Sequence, residues 1–509
     1  MLTDGEMKMK DIILAFDIGT SSIKASMFQV DGEHISPVLS ASVPCKSYNP
    51  MPGRTEQDPE DWWNGIVKIT RELAGKNPEA AKNVAAIGVS GHMLGCTPVD
   101  GSGRALYHGM IHSDSRAENQ FKQVCSAVGA DRMYRLTGNI LDARSTLCKI
   151  LWLKEEEPEI YSKTAKFLQS KDFIAARMTG NIDTTDYSDA CHAELMDISK
   201  RAYDASVFSD LGIDQSRLPE LHRSVDVIGK LTEERAAQLG LTAGIPVIAG
   251  GGDGACSAAG AGNTRPGDIF CCLGTTSWIA ECSTAPFIDE KKRIFNIMDL
   301  GGDTYSVLGT MQAAGGSLTW LMELLSENSA SHLDELAATV HAGCDGLIYL
   351  PYLDGERSPI FDIASRGMFF GLSQMHKRQH LMRATLEGVA YALRSILDVM
   401  RERHSIEKMR IIGGGSNSSI WRQIIADVCD IAICRLSVPP EDATSLGIAA
   451  AAGVGVGLFK NVAAGVSFVT ETDLTSSVES AMYTRNYEVF SALYPATKEL
   501  MHKLVSGYI

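Results

Sequence analysis

Short apolar runs that end in glycine, hydroxyl and acidic residues recur along this chain, alternating with longer stretches whose apolar residues fall three or four apart. The first pattern predicts strands that run into turns, and the second predicts amphipathic helices. Residues 11–16 (DIILAF) read as a strand ending at Asp17, followed by Ile18, Gly19, Thr20, Ser21 and Ser22. Residues 23–30 and 33–43 continue as two further strands about a tight turn at Asp31 and Gly32, which completes a β-meander. Residues 54–63 (RTEQDPEDWW) pass from a polar loop into a helix with Pro59 in its first turn. There Asp58 is the cap, and Trp62 and Trp63 are divided between core and surface. A buried strand at 84–90 leads into Gly91, His92, Met93, Leu94 and Gly95, and 112–116 (HSDSR) precede a helix starting near Ala117, with Ser113 or Asp114 as its cap. Residues 146–156 read as an amphipathic helix bearing Lys149 and Trp152, an acidic loop covers 183–189, and a helix follows at 232–239.

Residues 246–262 (PVIAGGGDGACSAAGAG) combine these signals: a short strand, three glycines, one acid and a helix of very small residues. Asp253 is the only charge there. Aspartate is a good helix N-cap, so capping and chemistry compete as readings of it, and both can hold if its backbone starts the helix while its carboxylate faces a ligand. After Gly262 the opening pattern returns. Residues 269–273 are a strand, Gly274, Thr275, Thr276 and Ser277 a hydroxyl-rich turn, and 278–282 a second strand. Two similar strand-turn-strand units, one opening each half, predict two duplicated α/β domains facing each other across a cleft, with boundaries at 1–251 and 252–509. Further on, the loop at 349–359 precedes a long helix at 378–403 with a core stripe of Leu381, Val389, Leu393, Ile396 and Met400. A strand at 409–412 then enters Gly413, Gly414, Gly415 and Ser416 before a helix at 418–429, and the Ala- and Gly-rich 443–459 reads as a helix packed closely on a sheet.

Composition narrows the function. At 509 residues, 45% apolar and 21% charged, the chain is a globular protein of more than one domain. Its formal charge of −15 argues against nucleic acid and anionic membrane surfaces as partners. Phosphate must then be bound by backbone amides, a few basic groups and a divalent cation. The 12 cysteines form no C-x-x-C pair, and the first ten residues have no hydrophobic leader, which predicts reduced core thiols in a cytosolic protein. Turns such as D-I-G-T-S-S present N–H groups and hydroxyls to an anion, while the strand-end aspartate can orient a hydrated metal. Glu56, Gln57 and Asp58 can hold polyol hydroxyls, and His92 and Asp114 stand at strand ends where a substrate could be met.

DIGTSS, GGGD, LGTTS and GGGSNSSIWRQIIAD occur here in one order, and that combination resembles the FGGY family of carbohydrate kinases. The family's first signature is matched by 146–156 (TLCKILWLKEE), apart from Arg144 two places before it, and the second by 367–387 (GMFFGLSQMHKRQHLMRATLE). Within the family the chain is most similar to xylulokinases. The resemblance implies two actin-like, ribonuclease-H-type domains with ATP and a sugar or polyol in the cleft between them, and leaves a homodimer open. It implies Asp253 as catalytic base, and Asp17 and Asp253 at Mg²⁺. It assigns Gly19, Thr20 and Ser21 with Gly274, Thr275 and Thr276 to the phosphates, and Gly413, Gly414, Gly415 and Asn417 to adenosine. The acceptor falls to Gln57, His92, Met93, Asp114, Asp253 and Gly254.

Departures gather at the acceptor. Leu94 stands where xylulokinases carry histidine, Gly254 where they carry asparagine, and His112-Ser113-Asp114 where they carry Trp-Asn-Asp. D-Xylulose is the first acceptor the resemblance suggests, with another sugar, polyol or aldonate as the alternative. Two readings from other classes compete: a nucleotide-binding regulator without turnover, and a nicotinamide oxidoreductase using Gly250, Gly252 and Ala255 as G-x-G-x-x-A. No acid ends 269–273, where the second requires a ribose-binding group, and no Walker-A sequence occurs.

Overall fold

A computed structural model of the chain describes residues 11–506; the first ten residues, on which the expected absence of a leader rests, lie outside the described residues. Two mixed sheets organise it. In the first, Ile12–Ile18, Ser22–Asp31 and His34–Pro44 form the antiparallel meander. Val84–Gly91 joins Ile12–Ile18 in parallel, Pro246–Ile248 pairs parallel beyond it, and Val227–Lys230 closes the edge antiparallel. The second sheet repeats the plan. Ile269–Leu273 pairs antiparallel with Ser277–Ser283, which pairs with Tyr305–Met311, while Lys408–Ile412 and Ala432–Leu436 extend it in parallel and Glu471–Thr475 closes it antiparallel. The central strands read as unbroken apolar runs because helices cover both faces, as parallel neighbours require.

The helix Ala443–Gly455 connects Ala432–Leu436 and Glu471–Thr475 of the second sheet yet lies on Ile12–Ile18 and Val84–Gly91 of the first, and it packs along Asp253–Gly260. Gly447 makes that crossing possible: a Cβ there would stand 1.9 Å from the carbonyl oxygen of Cys256. The two halves therefore share one apolar seam in which the small Ala255, Ala258, Ala259 and Ala452 pack with Leu446 and Ile448. Lys24 adds a polar tie across it, 2.6 Å from Asp442. The long helix Arg378–Arg401 covers the second sheet with Val389, Leu393, Ile396 and Met400 fully or nearly enclosed.

Several local expectations change. Asp58 does cap Pro59–Lys76, accepting from the Glu60 N–H at 2.9 Å, a bond worth roughly 1 kcal/mol. Trp62 and Trp63, however, are both buried, because Gln238, Arg177 and Arg235 close over the second indole. Neither Ser113 nor Asp114 caps the next helix, which begins at Glu118 behind Ala117 with no side-chain cap. Thr146–Glu156 is buried on every side as far as Leu153, Lys149 included, and only its last turn meets solvent, with Glu155 and Glu156 exposed. All 12 cysteines are free, and among the described residues no helix is long and apolar enough to cross a membrane.

Candidate active site

Parallel pairing sets the site. Ile18 is in register with Gly91, and Gly252 also pairs with Gly91, so the turn after Ile18, the segment from His92 and the turn before Asp253 emerge at one edge of the first sheet. In the second sheet Cys272 is in register with Ile412, so Gly274 to Thr276 and the Gly413 turn emerge together in the same way. Carboxyl-end edges of such sheets are where ligands bind. The turn before Asp253 needs glycine: Gly250 has φ +77° and a Cβ there would meet the Val89 carbonyl oxygen at 2.1 Å.

A cavity of about 450 Å³ opens between the halves and is lined by Asp17, Gly19, His92, Met93, Leu94, His112, Asp253, Gly254 and Thr276 among others. Asp253 is the first residue of its helix, and Gly252, not Asp253, is the N-cap, so the carboxylate is free of capping and faces the cavity. Burial and the neighbouring Asp17 push its carboxyl up to about 7. Asp17 is also raised by burial, against the nearby Ser90 hydroxyl and the charge of Lys24, and its Oδ1 has no protein partner. Two carboxylates thus face one another at the edge where both hydroxyl-rich turns arrive.

On the acceptor side, burial holds His92 neutral, lowered to about 3. Its Nε2 lies 3.3 Å from Gln57 Oε1, which can only accept, so Nε2 carries the proton and the buried Nδ1 keeps a lone pair with no protein partner. Gln57 is held rigidly, donating to the Thr20 carbonyl at 2.8 Å and accepting from Trp62 Nε1 at 2.8 Å. Met93 and Gly254 adjoin: a Cβ on Gly254 would lie 3.6 Å from Met93 Sδ and 3.5 Å from Ile297 Cδ1, in ordinary contact. Leu94 takes a left-handed φ of 58°, and its carbonyl accepts from the fully buried Lys149 at 2.7 Å, as does that of Ile111 at 2.8 Å. Burial lowers Lys149 to about 8.

Not every expected residue reaches the cavity. Gln57 lies behind His92 with its amide engaged by the protein. Asp114 is fully buried away from the cavity, accepting from the Thr55 N–H at 2.7 Å and Arg116 Nη2 at 2.6 Å, and Arg116 also binds Glu56 at 2.6 Å. Neither residue lines the cavity, because their polar atoms are already matched inside the protein. Thr20, Ser21, Gly274 and Thr275 belong to the two turns at the rim, where Gly19 N–H donates to the Ser22 carbonyl and Gly274 N–H to that of Thr276, each at 3.0 Å. Gly413, Gly414, Gly415 and Asn417 stand apart from the cavity on the second sheet's edge, with Asn417 Oδ1 accepting from Arg435 at 3.0 Å.

Other lining residues escaped the sequence reading. Asn139, Asp142, Arg144, His192, Glu194 and Arg357 make the polar end of the cavity. Asn139 Oδ1 is 3.3 Å from His192 Nδ1, which leaves Nε2 of that neutral ring as an acceptor; burial lowers His192 to about 4. Arg144 is paired with Asp142, whereas the Nε of Arg357 has no partner, and burial disfavours its charge. Glu194 is buried with Oε2 unpartnered and its carboxyl raised well above the usual range. The mismatch at Arg144 against the first signature was the one signal pointing here.

Comparison with known proteins agrees with this layout. Residues 12–260 match the N-terminal domain of the FGGY family of carbohydrate kinases, and 269–456 its C-terminal domain. A xylulose kinase of Staphylococcus epidermidis is 33% identical over 505 residues, 98% of this chain and 99% of that one, and one of Bacillus subtilis is 31% identical over 97% and 99%. The crystal structure of xylulose kinase from Rhodospirillum rubrum superposes with a TM-score of 0.88 at 30% identity, over 96% of this chain and 100% of that one.

Proposed function

This chain belongs to the FGGY family of carbohydrate kinases and is an ATP-dependent sugar kinase, and from that premise we propose that it phosphorylates a primary hydroxyl of a ketose or polyol with Asp253 as base. The observation that carries the reading is the Asp253 carboxylate, uncapped and facing both the Asp17 turn and the polar lining of one cavity. The acceptor hydroxyl gives its proton to Asp253 as its oxygen bonds to the γ-phosphorus and the bond to ADP breaks. Little else is asked of the protein in such a transfer than positioning and charge stabilisation.

The division of labour follows two domains, 1–251 and 252–509. Gly19, Thr20 and Ser21 approach the phosphates from one side, Gly274, Thr275 and Thr276 from the other, and Gly413 to Gly415 with Asn417 hold adenosine. His92, Met93, His112, Asn139, His192 and Arg357 surround the acceptor, with Gln57 orienting His92. Asp17 and Asp253 suit Mg²⁺: Asp17 Oδ1 is unpartnered, and among the described residues no group of three or more His, Cys, Asp or Glu offers a closed cage. A cation that keeps water and phosphate oxygens as ligands needs no more, and when bound it would neutralise charge on the β- and γ-phosphates. The core thiols agree with a cytosolic location.

The acceptor is tested by ADP release with D-xylulose and a panel of other pentuloses, hexuloses, tetritols and aldonates. D-Xylulose turnover supports a xylulose kinase. Silence with it beside turnover of another polyol retires that acceptor and keeps the reaction. Silence across the whole panel overturns the proposal in favour of a nucleotide-binding regulator.

A further inference from the structure

Of the acidic stretch read at 183–189, Asp183 is exposed, whereas Asp186 and Asp189 belong to a buried charge cluster beneath the turn that carries Asp253. Lys171, fully buried, places Nζ 2.9 Å from Asp186 Oδ1, 3.2 Å from Asp189 Oδ2 and 2.5 Å from Asp172 Oδ1. Phosphoryl transfer touches none of these groups. From Asp186, however, a chain of bonds leads to the site. Its Oδ2 accepts from the hydroxyls of Ser188 and Ser224, each at 2.6 Å. Having given its one proton to Asp186, the Ser188 hydroxyl can only accept from elsewhere, and it accepts the Gly252 N–H at 2.9 Å. Gly252 is the N-cap directly before Asp253, in register with Gly91 at the end of a central strand.

We propose that Lys171, Asp186 and Ser188 form a positioning relay that fixes the Gly252 N–H and thereby aims the Asp253 carboxylate; the inference rests on the reading of Asp253 as the base. The physical case is directional. A buried N–H must be matched, and a hydroxyl that donates to a carboxylate is a more polarised acceptor than an isolated one. Lys171 keeps that carboxylate fixed and charged from the far side. The glycines around Asp253 lack side chains that could hold the turn, so the orientation has to come from such backbone bonds. The segment that bears Asp186 and Ser188 continues through Tyr187–His192 to Glu194, so its far end lines the acceptor cavity. One short helix therefore touches both the base turn and the acceptor end.

Ser224 supplies the comparison. Its hydroxyl binds the same oxygen of Asp186 at the same distance but does not touch Gly252, and its carbonyl contact to the Gly250 N–H survives substitution. Ser188→Ala and Ser224→Ala in the full chain remove equivalent bonds from the cluster. The relay predicts that Ser188→Ala lowers kcat by about 10- to 100-fold, the scale of a base displaced by a fraction of an ångström to one ångström, with KM for ATP and acceptor within about threefold. Ser224→Ala keeps kcat within about threefold at a similar loss in Tm, and Ser188→Cys, a weaker acceptor of similar size, falls between. Amide exchange of a peptide spanning 249–256 rises in Ser188→Ala alone. Equal kcat losses in the two alanine variants, or an unimpaired Ser188→Ala, overturn the relay. If Asp253→Asn abolishes turnover while Ser188→Ala is unimpaired, the relay alone fails; if Asp253→Asn turns over normally, the base assignment fails first.

Discussion

Replacing Gly447 by alanine perturbs the seam between the halves at a single atom. The new Cβ would sit 1.9 Å from the Cys256 carbonyl oxygen, 2.8 Å from its carbon and 2.9 Å from the Gly260 nitrogen, whereas Cβ contacts under 3.0 Å essentially never occur. All three neighbours are backbone, so no side chain can swing aside. The helices Asp253–Gly260 and Ala443–Gly455 must part by about 1 Å or more, at a cost of roughly 1–3 kcal/mol for overpacking. Cys256 lies one helical turn beyond Asp253, so the displacement reaches the base, and a 1 Å misplacement can cost about 10²-fold in rate. Gly453→Ala is the comparator: on the same helix, its Cβ meets only the Phe459 ring, at 2.5 Å, a side chain that can yield. Thermal unfolding and ADP release on both variants should show Tm lowered in each, with kcat down about 10²-fold only in Gly447→Ala. Equal effects on kcat would refute the argument that this crossing sets the position of Asp253.

Three more outcomes follow from the cavity. Because Asp253 is pushed up to about 7, its protonated and inactive form persists to higher pH than for an ordinary carboxylate, so kcat/KM should fall about tenfold per unit below about pH 7 and level off above it. Removing the like charge with Asp17→Asn should move that limb of the residual activity to lower pH; an unmoved limb would show that Asp17 does not act on the base. Arg357→Met should raise KM for the acceptor by about 10- to 100-fold, from charge-assisted bonds of roughly 1.5–3 kcal/mol, with KM for ATP unchanged, and steady-state kinetics with each substrate varied checks it. Gly254→Asn adds a side chain whose Cβ is in ordinary contact with Met93 and Ile297 and should raise KM for the true acceptor about tenfold while Tm holds; unchanged KM would place Gly254 away from it.

The sheets were legible because each meander is a run of strands broken by Gly, Asp and hydroxyl residues, local signals that survive in any tertiary setting. The repeat of that pattern at Asp17 and Gly274 was sufficient to anticipate two halves. Asp253 was legible as a special residue but not in its role at the helix start, since Gly252 serves as N-cap and its backbone angles were not readable. Gln57 and Asp114 sat beside the correct elements, yet which polar atoms they satisfy depends on Trp62 and Arg116 folding onto them. The polar end of the cavity was least legible: Asn139, Glu194 and Arg357 come from irregular segments far apart in sequence, where neither periodicity nor spacing marks a side chain that faces inward. Arg144 showed only as a mismatch.

Proton transfer from the acceptor to Asp253 is the step on which the proposed phosphoryl transfer turns. It is tested most directly by the single-turnover rate of Asp253→Asn with MgATP and the best acceptor, after the variant's Tm and ATP binding are shown to match those of the parent. With Asp253 as the base, the variant's rate should be lower by about 10²- to 10⁴-fold at pH 8 with binding retained. Near-parental transfer by that variant would contradict it.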